Sequence, residues 1–112
     1  MNIPNQHELK LLHTKVCQAI ADEKRIQIIY ALHEKPCYVS ELADLLAIPQ
    51  PTVSRHLSIL RQRNIVKSQR DGATVVYSLT DERIVMALDL MRGLLRDLIQ
   101  EQADSFIDDV HS

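Results

Sequence analysis

Two short amphipathic runs meet at Pro49-Gln50-Pro51, and a tight turn follows at Asp71-Gly72. The first run spans residues 41–47, with Ser40 as its expected cap and Leu42, Leu45 and Leu46 on its apolar side. The second spans about residues 50–63, where Val53, Leu57 and Leu60 recur as a narrow inward stripe. Proline fits the first turn of that helix, because the N–H it lacks has no intrahelical acceptor there. Beyond it, Val66-Lys67-Ser68-Gln69 and Val75-Val76-Tyr77-Ser78-Leu79 read as strands on either side of Arg70-Asp71-Gly72-Ala73. An Asp-Gly step between β-prone runs predicts a hairpin, since the tight turn needs positive φ. Two short helices across a brief break, then a hairpin, define a helix-turn-helix with a wing.

The flanking segments are helical. Within residues 8–21, Leu9, Leu12, Val16 and Ile20 fall on one stripe, with Cys17 at its edge. Asp22 caps a helix over residues 25–33 that turns Ile26, Ile29 and Leu32 inward, and Glu34-Lys35-Pro36 ends it. Thr80 is the expected cap of the last helix, where Asp81 and Glu82 suit the positive end. That helix presents Ile84, Leu88, Met91, Leu95 and Leu98 on one stripe. Ala87, Leu90 and Leu94 widen it beyond what one small core can cover. From about Gln102 the chain is acidic and is expected to fray. The expected architecture is mainly α with a small β-hairpin, a single winged helix-turn-helix domain over residues 1–112. Its reading segment is residues 40–63, its wing 66–79, and its flanking helices about 8–21 and 81–101.

With the 50–63 stripe inward, a helix turning about 100° per residue leaves Pro51, Ser54, Arg55, Ser58 and Gln62 outward. Gln50 and Thr52 occupy the exposed first turn. Small hydroxyls, glutamine and arginine are what a helix needs to hydrogen-bond base edges in a major groove about 12 Å wide. Arg61 and Arg63 flank this face and can hold phosphates, and Arg70 on the wing can reach a phosphate or the minor groove. His56 flanks the inward stripe, where a core or phosphate-contacting role comes before base reading. A polar face can also be a plain solvated surface. Winged helices also serve as protein-interaction modules, or bind DNA constitutively without an inducer.

Charge distribution bears on that choice. The net charge of −2 argues against a non-specific nucleic-acid coat. Yet residues 50–72 hold five bases (Arg55, Arg61, Arg63, Lys67, Arg70) against Asp71 alone, while the rest carries eight bases and fourteen acids. A basic segment on an acidic body is an electrostatic footprint for a polyanion. No apolar run approaches the ~20 residues that span a bilayer, and the N-terminus lacks the look of a secretory signal. A cytoplasmic location with no membrane partner is therefore expected. No glycine-rich phosphate loop, HExxH or Ser/His/Asp context is present, so an enzyme is not expected. Cys17 and Cys37 are too few for a disulfide scaffold and should rest as thiols in a reducing compartment.

The run Ala19-Ile20-Ala21-Asp22-Glu23-Lys24-Arg25-Ile26, continuing to Ala31-Leu32, resembles the signature of the ArsR–SmtB family of bacterial metal-sensing repressors. Ser40-Glu41-Leu42-Ala43, Gln50-Pro51-Thr52-Val53-Ser54-Arg55-His56-Leu57 and Arg70-Asp71-Gly72 are similar to its reading segment and wing. The likeness covers about residues 9–100. It implies a homodimer built from the first and last helices, bound to an inverted-repeat operator in double-stranded DNA, with repression relieved by a ligand.

The family's ligand sites map unevenly onto this chain. A zinc site shared by the last helices corresponds to Asp81, Arg83, Leu94 and Asp97, where two of four ligands are lost and an arginine repels a cation. A thiolate site on the first reading helix corresponds to Glu41-Leu42-Ala43-Asp44-Leu45, which has no cysteine. Neither site is expected here. Cys17 and Cys37 remain. They resemble thiols that some arsenic-sensing relatives pair, and two can hold arsenite with an exogenous third ligand. They could instead form a disulfide or sulfur-bridged link under peroxide or persulfide stress, or be simple packing and loop residues. None of the five histidines (His7, His13, His33, His56, His111) shows a tight metal spacing.

Overall fold

Asp22 starts the central helix. Its carboxylate accepts from the amides of Lys24 at 2.8 Å and Arg25 at 3.2 Å, capping α2 (Glu23–Glu34). The computed structural model describes the backbone of residues 2–111 and the side chains of residues 2–105. Before α2 lies α1 (Gln6–Leu12), which passes directly into a π-helical turn (His13–Cys17). After it come β1 (Cys37–Tyr38), α3 (Val39–Leu46), α4 (Gln50–Gln62), β2 (Val66–Asp71), β3 (Thr74–Leu79) and α5 (Arg83–His111). The chain divides into two units, one ending at Glu82 and one beginning at Arg83.

The first unit is a winged helix-turn-helix. Ile28 and Ile29 of α2, Leu42 of α3, Val53, Leu57 and Leu60 of α4, Val66 of β2 and Cys37 of β1 are among its fully buried side chains. Burying each aliphatic one contributes about 1.5–3 kcal/mol, so three on α4 outweigh the marginal stability of a short isolated helix. The inward stripe predicted for this helix is therefore the one observed.

Two left-handed residues set where the reading helices stop. Ala47, at φ 55°, ends α3, and the Ile48 amide donates back to the Ala43 carbonyl at 3.1 Å. Asn64, at φ 60°, follows α4, and the Ile65 amide donates to the Leu60 carbonyl at 2.9 Å. Asparagine tolerates this conformation, whereas alanine is strained in it.

The sheet has three antiparallel strands in the order β1-β3-β2, with Cys37 opposite Tyr77 and Val66 opposite Leu79. β1 was not expected. It is two residues long, and its pairing to a strand nearly forty residues away leaves no local pattern. The hairpin turns one residue later than an Asp-Gly turn would, because Asp71 pairs with Thr74 and Gly72, at φ 66°, takes the first turn position. Positive φ at that position alone suits a type II′ turn.

Two capping expectations are corrected. At the start of α3, Glu41 accepts from the Tyr38 amide at 3.0 Å and Ser40 lies inside the helix. Thr80 does not cap α5. Its hydroxyl donates to the carbonyls of Asn64 (2.5 Å) and Ile65 (3.0 Å), and α5 begins at Arg83. The helix α5 runs on to His111, through the segment from Gln102. Among the described residues, no helix is long and apolar enough to cross a membrane.

Candidate nucleic-acid interface

α4 segregates its two faces cleanly. Val53, Leu57 and Leu60 are buried, while Gln50, Pro51, Ser54, Arg55, Ser58 and Gln62 are exposed and Thr52 is half-buried. The exposed side chains are those predicted to face a groove. Arg61 is exposed at the far end of the helix and donates to Ser68 Oγ at 3.4 Å, which links that end to β2. Arg70 is exposed near the wing turn.

His56 departs from this set. It is 6% exposed, so it belongs to the interior and not to the groove face. Arg25 Nη1 lies 3.3 Å from His56 Nδ1, and Asp22 Oδ1 lies 4.0 Å from Nε2. An arginine has only donors, so Nδ1 accepts and the ring is neutral. Burial pushes the His56 pKa below its usual value; Asp22 opposes this and the cations Arg25, Arg55 and Lys24 reinforce it.

The wing is tied at its turn end. Tyr38 donates to Asp71 Oδ2 at 2.7 Å, and Thr74 Oγ1 donates to the Asp71 carbonyl at 2.8 Å. Tyr38, Ser40, Gln50 and Thr74 border an open cleft between the first turn of α4 and the wing. Sequence reasoning missed Tyr38, because its partner is far away in the chain. It missed Arg25 too, since a charged residue in a helix's first turn reads as solvated.

The cysteines differ sharply. Cys17 is exposed at the end of the π-helical turn. Cys37 is buried, and its thiol donates to the Lys35 carbonyl at 3.3 Å. Burial raises the Cys37 pKa, the Glu41 charge adds to this, and Lys35 opposes it. Among the described residues, no group of three or more His, Cys, Asp or Glu could hold a metal ion.

A wing beside a helix that buries one face and offers hydroxyls, glutamine and arginine on the other defines a winged helix-turn-helix protein. The family model described as "Bacterial regulatory protein, arsR family" matches residues 22–68. Nodulation protein NolR of Rhizobium meliloti is 30% identical over 102 residues, covering 91% of this chain and 80% of that protein. This chain belongs to the ArsR family. The transcriptional regulator KmtR of Mycobacterium tuberculosis is 37% identical over 73 residues, or 65% of this chain. The transcriptional repressor SmtB of the same species is 40% identical over 86 residues, or 76% of this chain. The chain spans 56% of the length of KmtR and 64% of that of SmtB. Among solved structures, NolR from Sinorhizobium fredii matches with a TM-score of 0.71 and 28% identity, over 84% of this chain and 96% of that one. KmtR and SmtB are named for regulation of transcription.

Proposed function

We propose that this chain is a cytoplasmic, DNA-binding transcriptional repressor that acts as a homodimer on an inverted-repeat operator. The observation that carries this reading is the two-faced α4, whose exposed side is made of Gln50, Pro51, Ser54, Arg55 and Ser58, with Thr52 half-buried at its edge. Arg61 and Arg70 would hold phosphates on either side. The repressor name of SmtB agrees. Leu9, Leu11 and Leu12 of α1 are exposed, as are Leu90, Leu94 and Leu98 of α5. Apolar faces of that extent call for a partner, and a second copy through both helices supplies one. A two-fold pair would set the reading helices about one DNA turn, ~34 Å, apart.

The inducer is proposed to be thiol-reactive, acting at Cys17 and Cys37. Exposure favours entry at Cys17. A peroxide would convert that thiol to a sulfenic acid, releasing water. The Cys37 thiol, once uncovered, would displace hydroxide as a second water and close a disulfide. Arsenite fits less well, since it favours three thiolates and the chain has two cysteines, one of them buried and protonated. The test is operator release by peroxide, a persulfide donor and arsenite in turn, with Cys17→Ser and Cys37→Ser alongside. Each variant should bind operator and lose release. Normal release from both would remove the thiols from the account.

A further inference from the structure

His56 shares α4 with Ser54, Arg55 and Ser58 but turns away from them into the interior. Its partner, Arg25, sits in the first turn of α2 and uses its whole guanidinium. Nε donates to the Ala19 carbonyl at 2.5 Å, Nη2 to the Gln18 carbonyl at 3.0 Å, and Nη1 to His56 Nδ1 at 3.3 Å. Gln18 and Ala19 directly follow the π-helical turn that extends α1. One side chain therefore connects the carbonyl end of the first helical segment to the reading helix. The charged groups facing the imidazole are Asp22, Lys24 and Arg25 from α2 and Arg55 from its own helix.

We propose that Arg25 is a positioning residue for DNA reading, fixing α4 to the end of the first helical segment with neutral His56 as the acceptor. This rests on the DNA-binding reading above. Base readout requires the helix at one angle and depth, whereas phosphate contacts tolerate small displacements. Loss of the link should therefore lower discrimination between operator and unrelated DNA more than it lowers binding as such. Lysine cannot replace Arg25, because one ammonium cannot match three acceptors held in the geometry of a planar fork. Protonation of His56 would turn Nδ1 from acceptor to donor against the guanidinium and break the link.

The experiment uses the full chain and a duplex selected by it from random sequence. The readout is the ratio of its affinity for that duplex to its affinity for an unrelated one, at fixed salt, from about pH 7.5 down to about pH 5, since burial holds His56 below the ordinary histidine value. In the wild type the ratio should fall as the pH drops. In Arg25→Gln it should be about tenfold lower at neutral pH, and Arg25→Lys should not restore it. His56→Gln keeps an acceptor that gains no proton, so it should retain much of the neutral-pH ratio and lose the pH dependence. A folded Arg25→Gln with the wild-type ratio would overturn the proposal. Should Arg25→Gln fail to fold, His56→Gln decides, and wild-type pH dependence in it would overturn the proposal equally. If the wild type selects no duplex at all, the repressor reading itself fails.

Discussion

The Tyr38 hydroxyl donates to the Asp71 carboxylate at 2.7 Å, so the strand that precedes the reading unit holds the wing at its turn end. Asp71 is the single acid of the basic segment and stands beside Arg70. Left free, its carboxylate would repel the phosphates that Arg70 is proposed to hold. The hydroxyl engages it, and the Asp71 hydrogen bond and charge in turn push the Tyr38 pKa up.

Tyr38→Phe should therefore act on the wing and not on the core. Stability should change by less than about 1 kcal/mol, the usual worth of one exposed hydrogen bond. Amide exchange in residues 66–79 should quicken, and operator affinity should fall a few-fold. Unchanged exchange in the wing would show that the hairpin needs no tie.

Arg55→Ala should weaken operator binding by about 1–3 kcal/mol per half-site if Arg55 contacts a base edge. Its side chain is exposed, so the melting temperature should stay within a degree or two of wild type. Leu57→Ala on the opposite face should do the reverse first, costing about 2–5 kcal/mol of stability through the cavity it opens. Thermal melts alongside anisotropy titrations separate the two effects.

Ala47→Gly should stabilise the fold. Alanine at φ 55° pays about 1 kcal/mol for the left-handed region, and glycine does not. The greater freedom of glycine in the unfolded chain offsets part of the gain. Chemical denaturation should show a midpoint equal to or above that of wild type. A clear loss would mean that the Ala47 methyl contributes packing that outweighs the strain.

Acid should loosen the helix starts. Burial works to raise the Asp22 pKa, but the Arg25 amide, a charged His56, the Lys24 amide and the Arg25 charge together bring it below its usual value. The Tyr38 amide, and then Lys35, lower that of Glu41. Carboxyls with lowered folded values contribute fully above the ordinary carboxylate range, and that contribution is lost as pH falls through the folded values. Asp22→Asn and Glu41→Gln should flatten the decline in stability below about pH 4, read by denaturation at a series of pH values.

The parts of this fold legible in the sequence are those written in local periodicity. Val53, Leu57 and Leu60 announced the inward face of α4, and with it the exposed one, because a helix repeats its faces within a few residues. The Gly72 hairpin was legible for a similar reason, although pairing between Asp71 and Thr74 moved the turn by one residue. What escaped notice depends on distance along the chain. The pairing of Tyr38 with Val76, the tie from Tyr38 to Asp71 and the fork from Arg25 to His56 each join residues more than thirty positions apart. His56 reads from the sequence as a core or phosphate-contacting residue at the edge of the stripe, and only its tertiary partner Arg25 accounts for its buried place. Thr80 had the composition of a cap but found nearer acceptors in the chain that follows α4.

The most direct test of the account is an anisotropy titration of a selected operator duplex with the reduced chain across a salt series. Two chains should bind per duplex, with an affinity that falls by orders of magnitude between about 50 and 200 mM salt, as phosphate contacts release counterions. Binding to no duplex in preference to any other, even at the lowest salt, would contradict it.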